Sequence, residues 1–349
     1  MTALRDLHDV LLADLDGTLY QGQVAVPGAA EAVRAAAARG CRTVYVTNNA
    51  SRRPSDVAAH LATLGFPARP ADVATSSQAA AALLADQLPA GSTVLVVGTD
   101  ALMDEVSAVG LVPVREAANA VAVVQGHDPA TGWARLAEAA IALRAGALWV
   151  ACNVDPTLPT ERGLLPGNGS MVAALRTATG LVPQVAGKPA PTLLLDAVRR
   201  TGAATPLVVG DRLDTDIEGG RAAGLPTLLV LTGVTTAADL LAAPPGQRPD
   251  LVAADLAALA EGPETARIAP QEGWSVAQAA DSLVLSGDGD PIAALRALCA
   301  AHWPLGGGPV DVTADGAGAA GALRVLRPGA DGSGSATVAQ DATAPGAAR

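Results

Sequence analysis

Short runs of consecutive apolar residues alternate along this chain with longer Ala-, Leu- and Arg-rich stretches whose apolar positions recur every three to four residues. A continuous apolar run marks a strand buried on both faces, and the longer period marks a helix lying against a sheet. The alternation predicts an α/β fold, a parallel sheet covered by helices on both sides. Strands are expected at 10–13, 43–46, 93–97, 121–124, 147–151, 207–209 and 227–231. Helices are expected at about 29–39, 55–64, 77–87, 100–109, 132–144, 170–178, 191–200 and 215–223. From about Gly262 the pattern changes. The stretch WSVAQAADSLVLSGDGDPIAALRALCAAHW reads as one or two strands, a turn at 287–291 and a helix, with a further strand at 310–313. That is a small α+β module. After Pro328 the Gly-, Ala-, Ser- and Thr-rich sequence loses its periodicity, and 329–349 reads as a disordered tail.

At 349 residues the chain exceeds one ordinary domain, so two or three units are expected. Half the residues are apolar but only 2% are aromatic, which specifies a core of Val, Leu and Ala. The net charge of −11, with no basic run longer than Arg52-Arg53 or Arg199-Arg200, argues against nucleic acid and anionic membranes as partners. The first apolar run carries acids, and no stretch approaches the roughly 18 apolar residues of a membrane span, so a cytoplasmic protein is expected. Cys41, Cys152 and Cys299 share no CxxC spacing and read as small core residues. The four histidines, His8, His60, His127 and His302, are too dispersed for zinc-hydrolase or histidine-phosphatase chemistry.

Several predicted strands end in polar residues, and in an open α/β sheet the ligand crevice lies outside those carboxyl ends. The first is DLDGT, where Asp14 and Asp16 share one face at spacing i, i+2 before the Gly17-Thr18 turn. Two neighbouring carboxylates repel unless a cation or a proton lies between them. The second is Thr47-Asn48-Asn49, a hydroxyl and two amides that offer neutral donors to an anionic oxygen. The third is GKPAP, which contains the chain's one lysine, Lys188, set against 22 arginines. A compact ammonium suits a tight site where a forked guanidinium does not fit. The fourth is GDRLDTDIEGG, whose Asp211, Asp214 and Asp216 exceed the single acid that helix capping by Asp214 or Thr215 needs. Such oxygen-rich sets suit a hard cation that also touches phosphate.

Taken in order, D-x-D-G-T, T-N-N, G-K-P and G-D-x-x-x-T-D resemble the motifs of the haloacid dehalogenase (HAD) superfamily of aspartate-nucleophile phosphatases. The resemblance implies a Rossmann-like parallel-sheet core and Mg2+ as cofactor. It implies Asp14 as nucleophile and Asp16 as general acid and base, with Asp14, the backbone carbonyl of Asp16 and Asp211 as metal ligands. Asp216 would support the metal's water shell or Lys188; the choice between Asp214 and Asp216 stays open. Thr47, Asn48, Asn49 and Lys188 would hold the phosphoryl group. Asp16 separates the chain from the true dehalogenases, which lack the second acid and the metal.

Between Asn49 and Lys188 there is room for an inserted α/β cap, as in the p-nitrophenyl phosphatase, phosphoglycolate phosphatase and pyridoxal-phosphate phosphatase subclass. The division is then a discontinuous core at 1–78 and 182–261, a cap at 79–181, and the module at 262–328. The loop 153–159 after a cap strand, carrying Asn153 and Asp155, would reach down to the leaving group. Thr157 and Leu158 would occupy the substrate-selecting positions, and their small or aliphatic side chains imply a small uncharged alcohol. The stretches TGWARLAEAAIALRAGALWV and GNGSMVAALRTATG, with the C-terminal module, resemble actinobacterial glycerol 3-phosphate phosphatases. The expected activity is therefore hydrolysis of glycerol 3-phosphate or glycerol 1-phosphate through an aspartyl-phosphate, with phosphoglycolate or pyridoxal phosphate as alternative substrates. The partner is a small phosphate monoester, with a homodimer kept open. In the relatives the module has been likened to an acetyltransferase fold. Here no Gly-rich pyrophosphate loop is present and GDGDP reads as a turn, so a regulatory or dimerisation unit and an acyltransferase-like domain both stay open.

Overall fold

The computed structural model describes residues 2–326, with Glu161 and Asp281 excepted. Six parallel strands form the core sheet in the order Leu251–Ala253, Thr227–Val230, Pro206–Gly210, Val10–Ala13, Arg42–Thr47, Val73–Thr75. The chain winds outward from Val10–Ala13 in one direction, then returns to build the other side. That strand therefore flanks the switch point, where carboxyl ends open a crevice. All four of its residues are buried, with Leu11 and Ala13 in one apolar cluster and Val10 and Leu12 in another. This two-sided burial is the physical basis of the uninterrupted apolar run.

A second parallel sheet of five strands forms the cap, in the order Val112–Val114, Thr93–Val97, Ala122–Gln125, Leu148–Ala151, Gln184–Val185. Its last strand lies past the boundary expected at 181, so the cap sheet takes in residues assigned to the core. Helix Ser76–Ala85 starts with a reciprocal cap. The Thr75 hydroxyl accepts from the Gln78 N–H and the Gln78 carbonyl from the Thr75 N–H, each at 3.2 Å. Its Ala79, Ala80 and Leu84 share one cluster with Leu12 and Val46 of the core sheet and Val94 and Val124 of the cap sheet. Core and cap are therefore joined by apolar packing.

Where an ordered loop was expected at 153–159, an antiparallel hairpin begins, Thr157–Thr160 with Gly163–Pro166. Prolines at both strands mask the strand pattern. Helix 215–223 also differs. A π-helical turn at Leu213–Ile217 runs into a short helix, Glu218–Ala222, and neither Asp214 nor Thr215 caps it. Asp214 is instead exposed and engaged with Arg212 at 2.8 and 3.0 Å. Three strands of only three residues, Val73–Thr75, Val112–Val114 and Leu251–Ala253, were not anticipated.

The C-terminal module contains the sheet Trp274–Ala279, Ser282–Gly287, Asp311–Asp315, antiparallel then parallel, and helix Pro291–His302. A further helix, Ala317–Leu326, was not foreseen. The tail expected to be disordered, 329–349, lies outside the described residues. All three cysteines are free and buried. No helix among the described residues is long and apolar enough to cross a membrane.

Candidate active site

Three core strands deliver the site. Asp14 leaves the end of Val10–Ala13, Asn48 follows Arg42–Thr47, and Asp211 follows Pro206–Gly210. Lys188 arrives on the loop after the last cap strand, in a cis Lys188-Pro189 pair. Its ammonium is buried and lies 2.6 Å from both Asp14 Oδ1 and Asp216 Oδ1. Burial works against that charge, but the two carboxylates overcome it and keep the lysine protonated. Asp216 also accepts the Arg212 N–H at 3.1 Å, which fixes its orientation. Asp214 points away from the site, so of the two acids Asp216 is the one that meets Lys188.

Asp211 is fully buried. Its Oδ2 accepts the Val234 N–H at 2.7 Å and its Oδ1 the Thr18 hydroxyl at 3.2 Å. A Cβ at Gly17, whose φ is +86°, would stand 2.4 Å from Asp211 Oδ2. The DLDGT turn can pass over this carboxylate only as glycine. Oxygens of Asp14, Asp211 and Asp216 lie within 4.8 Å of one another, a hard-donor set that could hold a metal ion. One ammonium faces three carboxylates, so the excess negative charge needs a further cation or a proton. Burial and then Asp216 push the Asp211 carboxyl up to about 6, and the same two causes raise Asp14 against the pull of Lys188. A divalent cation removes that excess, and the donors fit one.

Asp16 is exposed, with no hydrogen bond to its carboxylate among the described residues. It lies close enough to Tyr20 that burial, Asp16 and Asp14 together push the phenol up to about 12. Asn48, expected to reach a phosphoryl oxygen, spends its side chain inside the protein. Its Oδ1 accepts the Lys188 N–H at 2.8 Å, and its Nδ2 donates to the Lys188 carbonyl at 2.9 Å and to Asp155 at 3.3 Å. The Thr47 hydroxyl accepts the Asn49 N–H at 3.1 Å, and the exposed Asn49 turns its carbonyl to Ser51.

Residues of the cap complete the wall. Asn153 donates to the Asn48 carbonyl at 2.7 Å, and Asn168 donates to the Asn153 carbonyl at 2.7 Å and the Gln125 carbonyl at 3.3 Å. A cavity of about 90 Å³ lies here, lined by Asn49, His127, Asn153, Asp155, Thr157 and Leu158 among others. Larger hollows lie elsewhere, so charge and not volume marks the site. Sequence reasoning missed Thr18, Ser76, His127 and Asn168. Ser76 donates to the Asn48 carbonyl at 2.6 Å and Thr18 is fully buried. Thr18 had a visible signal, a hydroxyl directly after the DLDG turn; the others had none.

A doubly wound core with clustered aspartates and one lysine at its switch point, under an inserted cap, defines an aspartate-based hydrolase. The chain belongs to the haloacid dehalogenase-like hydrolases. Residues 11–112 match the haloacid dehalogenase-like hydrolase model, 185–259 a HAD-hydrolase-like model, and 271–326 a GCN5-related N-acetyltransferase like domain. A D-glycerol 3-phosphate phosphatase of Mycobacterium tuberculosis is 53% identical over 313 residues, covering 87% of this chain and 88% of that protein. The 5'-nucleotidase YutF of Bacillus subtilis is 41% identical over 64% of this chain and 87% of its own length. The crystal structure of a glycerol phosphate phosphatase of M. tuberculosis in complex with magnesium matches with TM-score 0.89 at 52% identity, covering 93% of this chain and 99% of that one.

Proposed function

We propose that this protein is a Mg2+-dependent phosphomonoesterase that hydrolyses glycerol 3-phosphate or glycerol 1-phosphate to glycerol and phosphate. The observation that carries the reading is the Lys188 ammonium at 2.6 Å from Asp14, beside the Asp211 and Asp216 carboxylates at the switch point of the sheet. Asp14 attacks phosphorus to give an aspartyl-phosphate. Asp16, unbonded and exposed, is free to approach the leaving oxygen as a general acid and later to activate water as a base. Lys188 compensates charge on the transferring oxygens and holds Asp14 in line. Asp14, the Asp16 carbonyl and Asp211 would hold Mg2+, with Asp216 acting mainly through Lys188. When bound, the ion neutralises charge on the phosphoryl oxygens.

The relative named for D-glycerol 3-phosphate supports the substrate, and so does the small cavity bounded by Thr157 and Leu158. About 90 Å³ suits a few waters or a short polyol better than an aromatic cofactor. The division into core, cap and C-terminal module is part of the same reading, with the core–cap boundary after Val185 in place of 181. The test is phosphate release from glycerol 3-phosphate, glycerol 1-phosphate, phosphoglycolate and pyridoxal phosphate in the presence of Mg2+. Preference for the glycerol phosphates is expected. Equal or better turnover of either of the others would sink the substrate assignment.

A further inference from the structure

We propose that the C-terminal module braces the acidic turn 211–217 and does not act as a transferase. The proposal rests on the metal-site reading of Asp211 and Asp216. Strands Thr227–Val230 and Leu251–Ala253 are buried on both faces. Leu228 and Val230 pack into the core's own cluster, whereas Leu229 and Val252 join a cluster whose other members include Leu285, Leu295 and Leu298 of the module. Helix Pro291–His302 thus supplies part of the cover that an α/β sheet needs over its second face. The same cluster contains Leu213 and Ile217, the two ends of the π turn that carries Asp216. Packing against the module therefore bears on the shape of the turn.

A second connection runs through helix Ala237–Ala242, whose Leu240 and Leu241 lie in that cluster. Just before it, Val234 donates its N–H to Asp211 Oδ2 at 2.7 Å and Thr235 donates to the Asp211 carbonyl at 3.2 Å. At its other end, Trp303 Nε1 of the module donates to the Leu241 carbonyl at 3.2 Å. Arg248 ties the Ala243 carbonyl at 3.0 Å to the carbonyls of Trp303 at 3.2 Å and Gly306 at 2.8 Å, with its guanidinium 5.2 Å from the Trp303 ring centroid. The helix is a strut between the module and Asp211.

The first turn of helix Pro291–His302 is already occupied by a side chain of the module itself. In the GDGDP turn, Asp290 accepts the N–H groups of Ile292 and Ala293 at 3.1 and 3.0 Å, so a carboxylate already fills the first turn of helix Pro291–His302. An incoming phosphate would meet that charge in place of free donors. Buried Arg296 of the same helix donates to the Val252 carbonyl of the core at 3.0 Å. Its guanidinium also lies 3.5 Å from Asp290 Oδ2, so its charge is shared with the carboxylate that caps the helix.

The test uses the full chain with two truncations of similar burial, Leu298→Ala in the shared cluster and Leu143→Ala in the cap's own cluster. Mg2+ dissociation constants are read by titration calorimetry and by the Mg2+-induced rise in melting temperature. Leu298→Ala should weaken Mg2+ binding about tenfold, the lower end of the loss when groups that orient metal ligands are removed. Leu143→Ala should lower the melting temperature yet leave Mg2+ affinity within about twofold, since its cluster is independent of the turn. Should Leu298→Ala fail to fold, Trp303→Phe removes the indole bond to Leu241 and should weaken Mg2+ binding in the same direction. Unchanged affinity in the folded module variants overturns the brace, as does acetyl-coenzyme A binding to the wild type. A wild type that binds no Mg2+ overturns the metal-site reading and the brace with it.

Discussion

Replacing Lys188 by arginine keeps the charge and so separates charge from shape. The ammonium is buried with 2.6 Å bonds to Asp14 and Asp216, and the peptide behind it is pinned at both ends by Asn48, at 2.8 and 2.9 Å. Retreat of the loop is blocked as well. Gly187 lies so close to its neighbours that a Cβ there would stand 2.5 Å from the Cys152 carbonyl and 2.6 Å from Asn48 Oδ1. A guanidinium, longer and forked, can fit only by displacing Asp14 or Asp216. Overpacking of this kind costs about 1–3 kcal/mol of stability. A displacement near 1 Å at the nucleophile costs about a hundredfold in rate, or about 2.7 kcal/mol of barrier. Steady-state phosphate release with glycerol 3-phosphate and saturating Mg2+ should show kcat down by about two decades. Thermal unfolding should confirm a folded protein only a few degrees less stable. A kcat within about threefold of wild type would refute the steric argument and leave the single lysine as a compositional accident.

Chelating metal should abolish turnover, and Mg2+ at a hundred times its dissociation constant should stabilise the fold by about 2.7 kcal/mol, read as a rise in melting temperature. Gly17→Ala should cost activity and stability together, because its Cβ would meet Asp211 Oδ2 at 2.4 Å in a left-handed backbone; unfolding and Mg2+ titration check it. Asn168→Ala removes the link between the Asn153 and Gln125 carbonyls. It should raise KM for the glycerol phosphates while kcat stays within severalfold, as steady-state kinetics would reveal. At the far side of the core, burial alone would raise the Asp72 carboxyl, but the Arg69 and Arg42 guanidiniums hold it below the usual range. A depressed carboxyl contributes stability above its unfolded pKa and loses it as pH falls through the folded one. Asp72→Asn should therefore lower stability at pH 7 by about 1 kcal/mol, discounted for the exposed guanidiniums, with the gap closing in melting curves as pH falls below the ordinary carboxylate range.

Asp14, Lys188 and Asp211 were legible because each stands at or beside a strand end, where short apolar runs give way to polar residues. Convergence there follows from parallel topology alone. The role of Asn48 was not legible, since spacing does not tell whether an amide faces a ligand or the backbone of Lys188, 140 residues away. Nor could spacing choose between Asp214 and Asp216. The π turn decides it by burying Leu213 and Ile217, which turns Asp216 inward and leaves Asp214 to Arg212. The hairpin at Thr157–Thr160 was hidden by its prolines, and Asn168 resembled an ordinary helix start. The seam between module and core is made of Leu229 and Val252, which read as plain strand residues whichever face they cover.

The central claim is that Asp14 carries the phosphoryl group. Acid quench of the Mg2+-loaded enzyme during turnover of phosphoryl-labelled glycerol 3-phosphate, followed by peptide mapping, examines it directly. The account predicts a hydroxylamine-labile phosphate on the peptide containing Asp14, and no label and no turnover in Asp14→Asn. Full Mg2+-dependent turnover by Asp14→Asn would contradict it.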